Sequence, residues 1–112
     1  MSAAMWFYMT PAAPKPSMHD VTTRFWQPNE TDTAANIDSS FGTTINIING
    51  QEECDKTDAR AASRGKYYNK WLVYFGLPEE KDGLGCETQK KFLSGGHGDK
   101  LQYFEANWKV NN

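Results

Sequence analysis

The stretch FGTTINIINGQEEC, Phe41–Cys54, constrains the fold most, because it joins an apolar run, a turn signal and a cysteine. Its isoleucines require burial in a core. The Asn49-Gly50 pair predicts a turn, since both residue types accept positive φ more readily than others. A buried anchor followed by a turn would present Asn49, Gln51 and a carboxylate at its edge, as binding sites commonly do. A buried segment with an ordinary solvated turn is the alternative.

The secondary structure of this stretch is not decided by its pattern. The β-branched residues of Ile45–Asn49 favour a strand on propensity, but an apolar run this short fits a buried helix equally well. A clear helix is predicted further on, at Asp58–Phe75. Asp58 stands at an N-cap position, apolar residues recur at helical spacing, and Gly76 ends the pattern.

Arg64 lies beside the apolar stripe of this predicted helix rather than opposite it. A buried arginine requires a carboxylate, and Glu52 and Glu53 are the nearest acidic residues in sequence. If the side chain instead extends to water, it needs no such partner. The residues alone leave both arrangements open.

Composition limits the classes of function. The chain has 112 residues with 12 basic and 14 acidic side chains and a formal charge of −2, so nothing indicates a nucleic-acid or anionic-membrane partner. No apolar run approaches the roughly 20 residues that span a bilayer. Four Trp, five Tyr and six Phe are many, and exposed aromatic side chains stack on flat ligand faces such as sugar rings. The start MSAAMWFYM lacks the basic region of a secretory signal and is expected to lie inside a core helix, as in a fragment.

The two cysteines, Cys54 and Cys86, have a spacing that fits no compact metal motif. A disulfide would stabilise the fold by about 3–4 kcal/mol on the chain-entropy model and would indicate an exported protein. Two buried free thiols in a cytosolic protein are the alternative. His97 and Asp99 are only two candidate ligands in a glycine-rich loop, so we predict no metal ion and no cofactor.

Lys15 lies within Pro11–Pro16, where three prolines fix φ and favour an extended, rigid backbone. A lysine held in this way contacts a ligand at lower entropic cost. A solvated loop lysine is the more common alternative.

Several motifs occur together in a fixed order. They are WFYMTP at 6–11, PKPS at 14–17, HDV at 19–21, TINIING at 44–50, EC at 53–54, DAR at 58–60, Arg64 with Tyr67 and Tyr68, and finally Cys86, Gln89 and Phe92. This order resembles the C-terminal half of family 19 glycoside hydrolases, the chitinases of plants and some bacteria. That family shows WFWMTP, PKPS, TNIINGGIEC-like and DSR…DRIGFY segments, and then a second cysteine before Q-x-x-F.

The resemblance covers residues 3–92 and implies a mainly α-helical, lysozyme-like fold of two lobes around a cleft. Residues 1–92 would form the C-terminal lobe, with one disulfide. Residues 93–112 lie beyond the resemblance, and we expect a C-terminal extension that is partly helical and docks through apolar side chains spaced for one helical face: Leu101, Phe104 and Trp108.

The function implied by the resemblance is that of an inverting endochitinase acting on β-1,4-linked N-acetylglucosamine polymers. In the family both catalytic glutamates lie in the N-terminal half, so no residue of this chain is expected to be the acid or the base. The implied partners are chitin or its oligosaccharides and the missing N-terminal lobe of the same enzyme, and we expect a monomer. The family's disulfide corresponds to Cys54 and Cys86, which implies a secreted or extracellular protein, or a periplasmic one.

The resemblance also implies roles for four site residues. Lys15 corresponds to a lysine that contacts bound sugar, and Asn49 to an asparagine that hydrogen-bonds substrate near the cleavage point. Glu53 and Arg64 correspond to a buried carboxylate–arginine pair that connects to the catalytic acid and tunes its charge state. Gln51, however, replaces a family glycine, which leaves the sugar-chain preference open.

Two other classes of function compete with a hydrolase lobe that is inactive alone. A non-catalytic glycan-binding module predicts a self-contained fold with tight sugar binding, and a plain interaction domain predicts no response to sugar. Among enzymes, an endolysin-type member that cuts peptidoglycan is the rival, because it shares the linkage geometry.

Overall fold

The computed structural model describes residues 2–98, in which helices are joined by loops and no β-strand is found. The helices are α1 Ala3–Met9, α2 Met18–Thr22, α3 Glu30–Ala34, α4 Phe41–Glu53 and α5 Ala59–Tyr74. A single disulfide joins Cys54 to Cys86 within this part of the chain. The mainly α fold with one disulfide is therefore confirmed.

Helix α4 is the central element, because it packs against both α2 and α5. Two of its three isoleucines face different clusters of buried side chains, whereas Ile48 is 45% exposed, so the expected burial of all three is wrong. Ile47 belongs to the larger cluster, which also contains Met18, Val21, Trp26, Ala35, Ile37 and Phe92. Ile45 belongs to the smaller one, with Cys54, Ala61 and Cys86. The sequence left open whether Ile45–Asn49 forms a helix or a strand, and the structure shows a helix. A helix presents side chains around its whole circumference, so Ile45 and Ile47 can be buried in clusters on different sides.

The turn predicted at Asn49-Gly50 is wrong, because α4 continues through both residues to Glu53. The Asn-Gly signal appears instead as a kink, with non-helical φ and ψ of −152° and 38° at Asn49. Tertiary contacts override the local preference here. The disulfide follows directly at Cys54, and Glu53 is bound to α5, so the last turn of α4 is held from both sides.

Side-chain caps begin four of the helices, the first of them α1, where Ser2 Oγ accepts a hydrogen bond from the Met5 backbone N–H. Ser17 Oγ accepts a hydrogen bond from the Asp20 backbone N–H, and the Asp58 carboxylate accepts one from the Arg60 N–H. Asn29 and Asp32 bond each other's backbone N–H in a capping box. The predicted starts at Ser17 and Asp58 thus rest on bonds that satisfy otherwise unpaired N–H groups.

Gly42 and Gly65 allow the loop that carries Cys86 to pack closely against α4 and α5, because they have no side chain at the contact. A Cβ at Gly42 of α4 would collide with the Gly85 carbonyl oxygen, and one at Gly65 of α5 would lie 3.1 Å from the Leu84 carbonyl oxygen. The Gly42 N–H donates to the Gly83 carbonyl oxygen at 2.8 Å. The loop therefore contacts the backbones of two helices before the disulfide closes it.

The segment Pro11–Pro16 was predicted to be extended, but the structure shows a chain reversal there. Ala12 and Lys15 exchange both backbone hydrogen bonds, at 2.9 and 3.1 Å, so the chain reverses between them. The two backbone hydrogen bonds between Ala12 and Lys15 stabilise this reversal more than the prolines favour an extended backbone. The reversal places Lys15 against α4.

The first residues after 92 lie on the body of the fold. The His97 backbone N–H donates to Asp32 Oδ2 at 3.0 Å, and His97 Nδ1 lies 2.6 Å from the Gln27 carbonyl oxygen. The docking predicted for Leu101, Phe104 and Trp108 lies outside the described residues.

Candidate functional site

The kink of α4 carries the central polar group of the site. Asn49 is half-buried there, and its Nδ2 donates to Glu53 Oε2 at 2.6 Å. Glu53 lies one helical turn further on, with a fully buried side chain. Because the Asn49 Nδ2 is directed at the carboxylate, its Oδ1 is the group left to accept a hydrogen bond from a ligand.

Arg64 of α5 binds the same carboxylate with two nitrogens. Its Nε donates to Glu53 Oε1 at 2.9 Å and its Nη2 to Oε2 at 3.0 Å. The Arg64 side chain remains 40% exposed while Glu53 is 0% exposed, so the pair joins the core to the surface. The acceptor is Glu53 and not Glu52, which is exposed.

These contacts set the charge of Glu53. Hydrogen bonding from Arg64 lowers the pKa of the Glu53 carboxyl, and the bond from Asn49 acts in the same direction against the effect of burial. Hydrogen bonding to Glu53 raises the pKa of Arg64 in turn. The carboxylate is thus held ionised with both oxygens engaged. A group in this state is a poor proton donor at neutral pH.

Lys15 reaches the same helix from the proline segment. Its Nζ donates to the Ile47 carbonyl oxygen at 3.0 Å, two residues before the kink. Burial lowers the pKa of the Lys15 ammonium. The remaining N–H groups of Nζ are free to donate to a ligand, since an ammonium carries three.

The structure thus brings together the four predicted site residues around the C-terminal half of α4. Asn49, Glu53 and Arg64 form one hydrogen-bonded network, and Lys15 binds the helix just before it. The disulfide at Cys54, directly after Glu53, fixes the end of the helix that carries them.

Three lysines near this site were missed by sequence reasoning. Lys56, Lys90 and Lys91 line a cavity of about 770 Å³ together with Lys15. They come from loops far apart in sequence, and only the adjacent pair KK at 90–91 offered a signal.

Residues 2–98 show neither a metal-ligand cluster nor a membrane-spanning helix. No three His, Cys, Asp or Glu side chains group there as metal ligands, and Asp99 of the His97–Asp99 pair lies outside this range. None of the helices in that range has the length and hydropathy needed to cross a bilayer.

The fold and the site define a helical, disulfide-linked domain in which a buried carboxylate is bound by a half-exposed arginine and by the amide of Asn49. The family model for class I chitinases matches residues 1–86, which is more than half of the chain. The chain therefore belongs to the class I chitinase family, as the motifs in its sequence indicated.

Several plant proteins are similar to the chain. Endochitinase 2 of Solanum tuberosum is 45% identical over 94 residues, which cover 83% of this chain and 29% of that protein. Endochitinase B of Nicotiana tabacum is 44% identical with the same coverage. Endochitinase A2 of Pisum sativum is 44% identical over 92 residues, 81% of this chain and 28% of that protein. The chain thus spans under a third of the length of these curated relatives.

Proposed function

We propose that this chain is the substrate-binding lobe of an inverting endochitinase that hydrolyses β-1,4-linked N-acetylglucosamine polymers. The observation that carries the proposal is the network in which Glu53 is bound by both Arg64 and Asn49. Its polar face, completed by Lys15, offers a fixed amide and an ammonium to the hydroxyl and acetamido groups of a sugar chain.

The acid and the base belong, in this proposal, to an N-terminal lobe that is not in this chain. Inverting hydrolysis requires a protonated carboxyl group and a carboxylate about 6.5–9.5 Å apart, with room for water between them. Glu53 is suited to neither role, because its pKa is lowered and both its oxygens are engaged. Glu53 and Arg64 would instead position Asn49 and influence the charge of the acid across the cleft.

Exposed apolar side chains support a second lobe as partner over a self-contained glycan module. The expectation that the start of the chain lies in a core is wrong for the described residues, because no residue of α1 is buried and Met5, Trp6 and Met9 are 53%, 57% and 43% exposed. Contiguous apolar surface of this kind commonly marks a protein interface. The enzyme would act as a monomer outside the cell, where a disulfide such as Cys54–Cys86 persists.

A backbone amide NMR titration with the soluble N-acetylglucosamine hexamer tests this proposal. We expect weak binding, with shifts clustered at Lys15, Asn49 and Arg64 and without hydrolysis products. Lys15→Met should weaken the response, whereas Lys66→Met, on the exposed side of α5, should not. Hydrolysis of the hexamer by this chain, or a well-dispersed spectrum that does not respond to sugar, would overturn the proposal.

A further inference from the structure

The segment 93–98 starts at the lysine-lined cavity beside Lys15 and returns to it. Leu93 is part of the lining of this cavity, which has a volume of about 770 Å³. Gly98 is buried, and a Cβ on it would collide with the Pro14 carbonyl oxygen. Because Pro14 also lines the cavity, the chain that follows Gly98 begins at the cavity rim.

That following part of the chain is long enough to cross the cavity. Residues 99–112 would span about 20 Å as a helix and about 45 Å when extended. Cavities of this volume accommodate a drug-sized ligand, so this one has room for several side chains of the segment. The reach of the segment therefore permits docking here, and the chemistry of the two surfaces decides whether they fit.

The sequence of the segment places an acid on its apolar face. Leu101, Phe104, Glu105 and Trp108 have the spacing i, i+3, i+4 and i+7 that defines one face of a helix. Docking of this face would bury the Glu105 carboxylate together with three apolar side chains. A buried carboxylate requires a cation to pair with it. The receiving surface must therefore be apolar and carry a free cation.

The lysine-lined cavity meets both requirements. Leu93 is 43% exposed at its edge. Lys56 and Lys91 also line the cavity, are exposed, and form no ion pair with any described acidic residue. The carboxylate in its lining, Asp55, is already paired, since its Oδ1 lies 2.6 Å from Lys90 Nζ. Two ammonium groups are therefore free to meet Glu105.

The exposed apolar face of α1 fits the segment less well. Ala3–Met9 contains no charged residue, so Glu105 would lose its hydration there without gaining a cation. The apolar side chains of the segment could pack on either surface, and the acid among them favours the cavity.

The loop that carries Lys91 is held in place before anything docks. The Asn46 Nδ2 donates to Gln89 Oε1 at 3.1 Å and to the Lys90 carbonyl oxygen at 2.9 Å, and Phe92 is buried in the larger core cluster. Lys91 thus stands between two anchored neighbours, and less backbone entropy is lost when it pairs with an acid.

We propose that residues 99–112 dock as a helix in the lysine-lined cavity, with Glu105 facing Lys56 and Lys91. This inference goes beyond the proposed function and does not depend on it, because it concerns the chain without a ligand. Since Lys15 lines the same cavity, the docked segment covers the side of Lys15 that a ligand needs. A ligand of Lys15 then has to displace the segment, which lowers its apparent affinity.

Nuclear Overhauser effects measured on the full chain without ligand test the docking. We expect contacts from the Trp108 indole protons to the Leu93 methyl groups. Phe104→Ala should weaken these contacts and shift the Lys56 amide. Tyr103→Ala is the matched control, because it also removes an aromatic ring but lies on the opposite side of a helix, and it should leave both unchanged. Contacts of Trp108 with α1 instead, or with no residue of the cavity, would overturn the proposal.

A charge exchange tests the pairing of Glu105. Glu105→Lys should speed hydrogen exchange at the amides of the segment about two- to fivefold, the range of exposed ion pairs. Adding Lys56→Glu and Lys91→Glu should restore the slower exchange. Adding Lys66→Glu and Lys81→Glu, which change the net charge equally but lie exposed outside the cavity, should not. Restoration by both pairs of substitutions, or by neither, would contradict the pairing.

A second copy of the chain is the other occupant that the experiment has to separate. Isotope-filtered spectra of an equal mixture of labelled and unlabelled chain distinguish contacts within one chain from contacts between two. We expect the contacts between Trp108 and Leu93 only within one chain. Contacts between labelled and unlabelled chains would assign the cavity to a second copy and overturn the proposal.

Titration with the N-acetylglucosamine hexamer separates this inference from the proposed function. Phe104→Ala should raise the hexamer affinity about two- to fivefold, a factor set by the docked fraction, and Tyr103→Ala should not. An unchanged affinity in both variants would show that the segment does not cover Lys15. If the docking contacts are found and no variant binds the hexamer, the docking stands and the proposed function fails. If the hexamer shifts Lys15 and Asn49 in a chain without docking contacts, this inference fails and the proposed function stands.

Discussion

Glu53 and Arg64 lie on different helices and share two hydrogen bonds, of 2.9 and 3.0 Å, with the carboxylate wholly buried. The pair links the last turn of α4 to the first half of α5. Because Asn49 binds the same carboxylate, the orientation of the candidate sugar contact depends on an ion pair behind it. The stability of the pair and the orientation of the Asn49 amide are therefore coupled at this point.

Glu53→Gln should destabilise the fold by about 2–3 kcal/mol, somewhat below the loss for a fully buried pair. The reason is that Arg64 loses its carboxylate but is 40% exposed, so water replaces part of the interaction. Urea unfolding at neutral pH gives the free energy. A change as small as that of Glu52→Gln, an exposed neighbour, would contradict this prediction.

The same pair predicts a pH dependence. The folded-state pKa of Glu53 lies below its ordinary value of 4.5, chiefly through hydrogen bonding from Arg64. Its contribution is complete above pH 4.5 and is lost as the pH falls through that value toward the folded-state pKa. Unfolding free energies measured from neutral pH downward should decline more steeply for the unsubstituted chain than for Glu53→Gln. Asp58, whose pKa Arg60 lowers to about 2, remains in both and leaves a residual dependence. Parallel declines would show that Glu53 is not the source.

Asn49→Ala should weaken binding of the N-acetylglucosamine hexamer about five- to tenfold, the loss of one to two hydrogen bonds. The substitution removes the amide that we propose to contact the sugar and leaves Glu53 bound to Arg64. Asn69→Ala is the matched control, since among the described residues the Asn69 amide bonds the Glu80 backbone, away from Asn49. Isothermal titration calorimetry or NMR gives the affinities. Equal affinity in both variants would remove Asn49 from the site.

Replacing Cys54 and Cys86 together with serine should lower stability by about 3–4 kcal/mol, because the closed loop is long. The bonded residues are 32 positions apart. The unfolding free energy of the double variant should match that of the reduced chain. A loss below about 1 kcal/mol would mean that the unfolded chain is already compact around this loop.

Gly42→Ala should destabilise the fold by about 2–4 kcal/mol, as backbone overpacking does. The new methyl group would collide with the Gly85 carbonyl oxygen, which is backbone and cannot rotate away. Gly85→Ala is the control, since its Cβ would meet only the Glu87 carboxylate at 3.6 Å. Thermal unfolding of both variants compares them. Similar melting temperatures would show that the loop moves without loss of stability.

The sequence by itself determined the features that depend on neighbours a few residues away. The caps at Ser17 and Asp58 follow from local side-chain bonds, and the helix predicted at Asp58–Phe75 is found at Ala59–Tyr74. The motif order was enough to indicate the family. Local hydrogen bonds and helical periodicity depend on residues that are close in sequence, so these predictions needed no tertiary information.

Only the tertiary structure decided what depends on contacts between distant segments. Ile45–Asn49 is helical because Ile45 and Ile47 are buried in cores on two sides of the chain. Asn49-Gly50 became a kink because Glu53 and Cys54 are held from outside α4. The choice of Glu53 as the partner of Arg64 was implied by the resemblance, but its geometry required α4 and α5 to be packed. Apart from the adjacent lysines at 90–91, nothing in the sequence signalled the lysine-lined cavity, because residues 15, 56 and 90–91 become neighbours only when the loops close and burial offsets the loss of chain entropy.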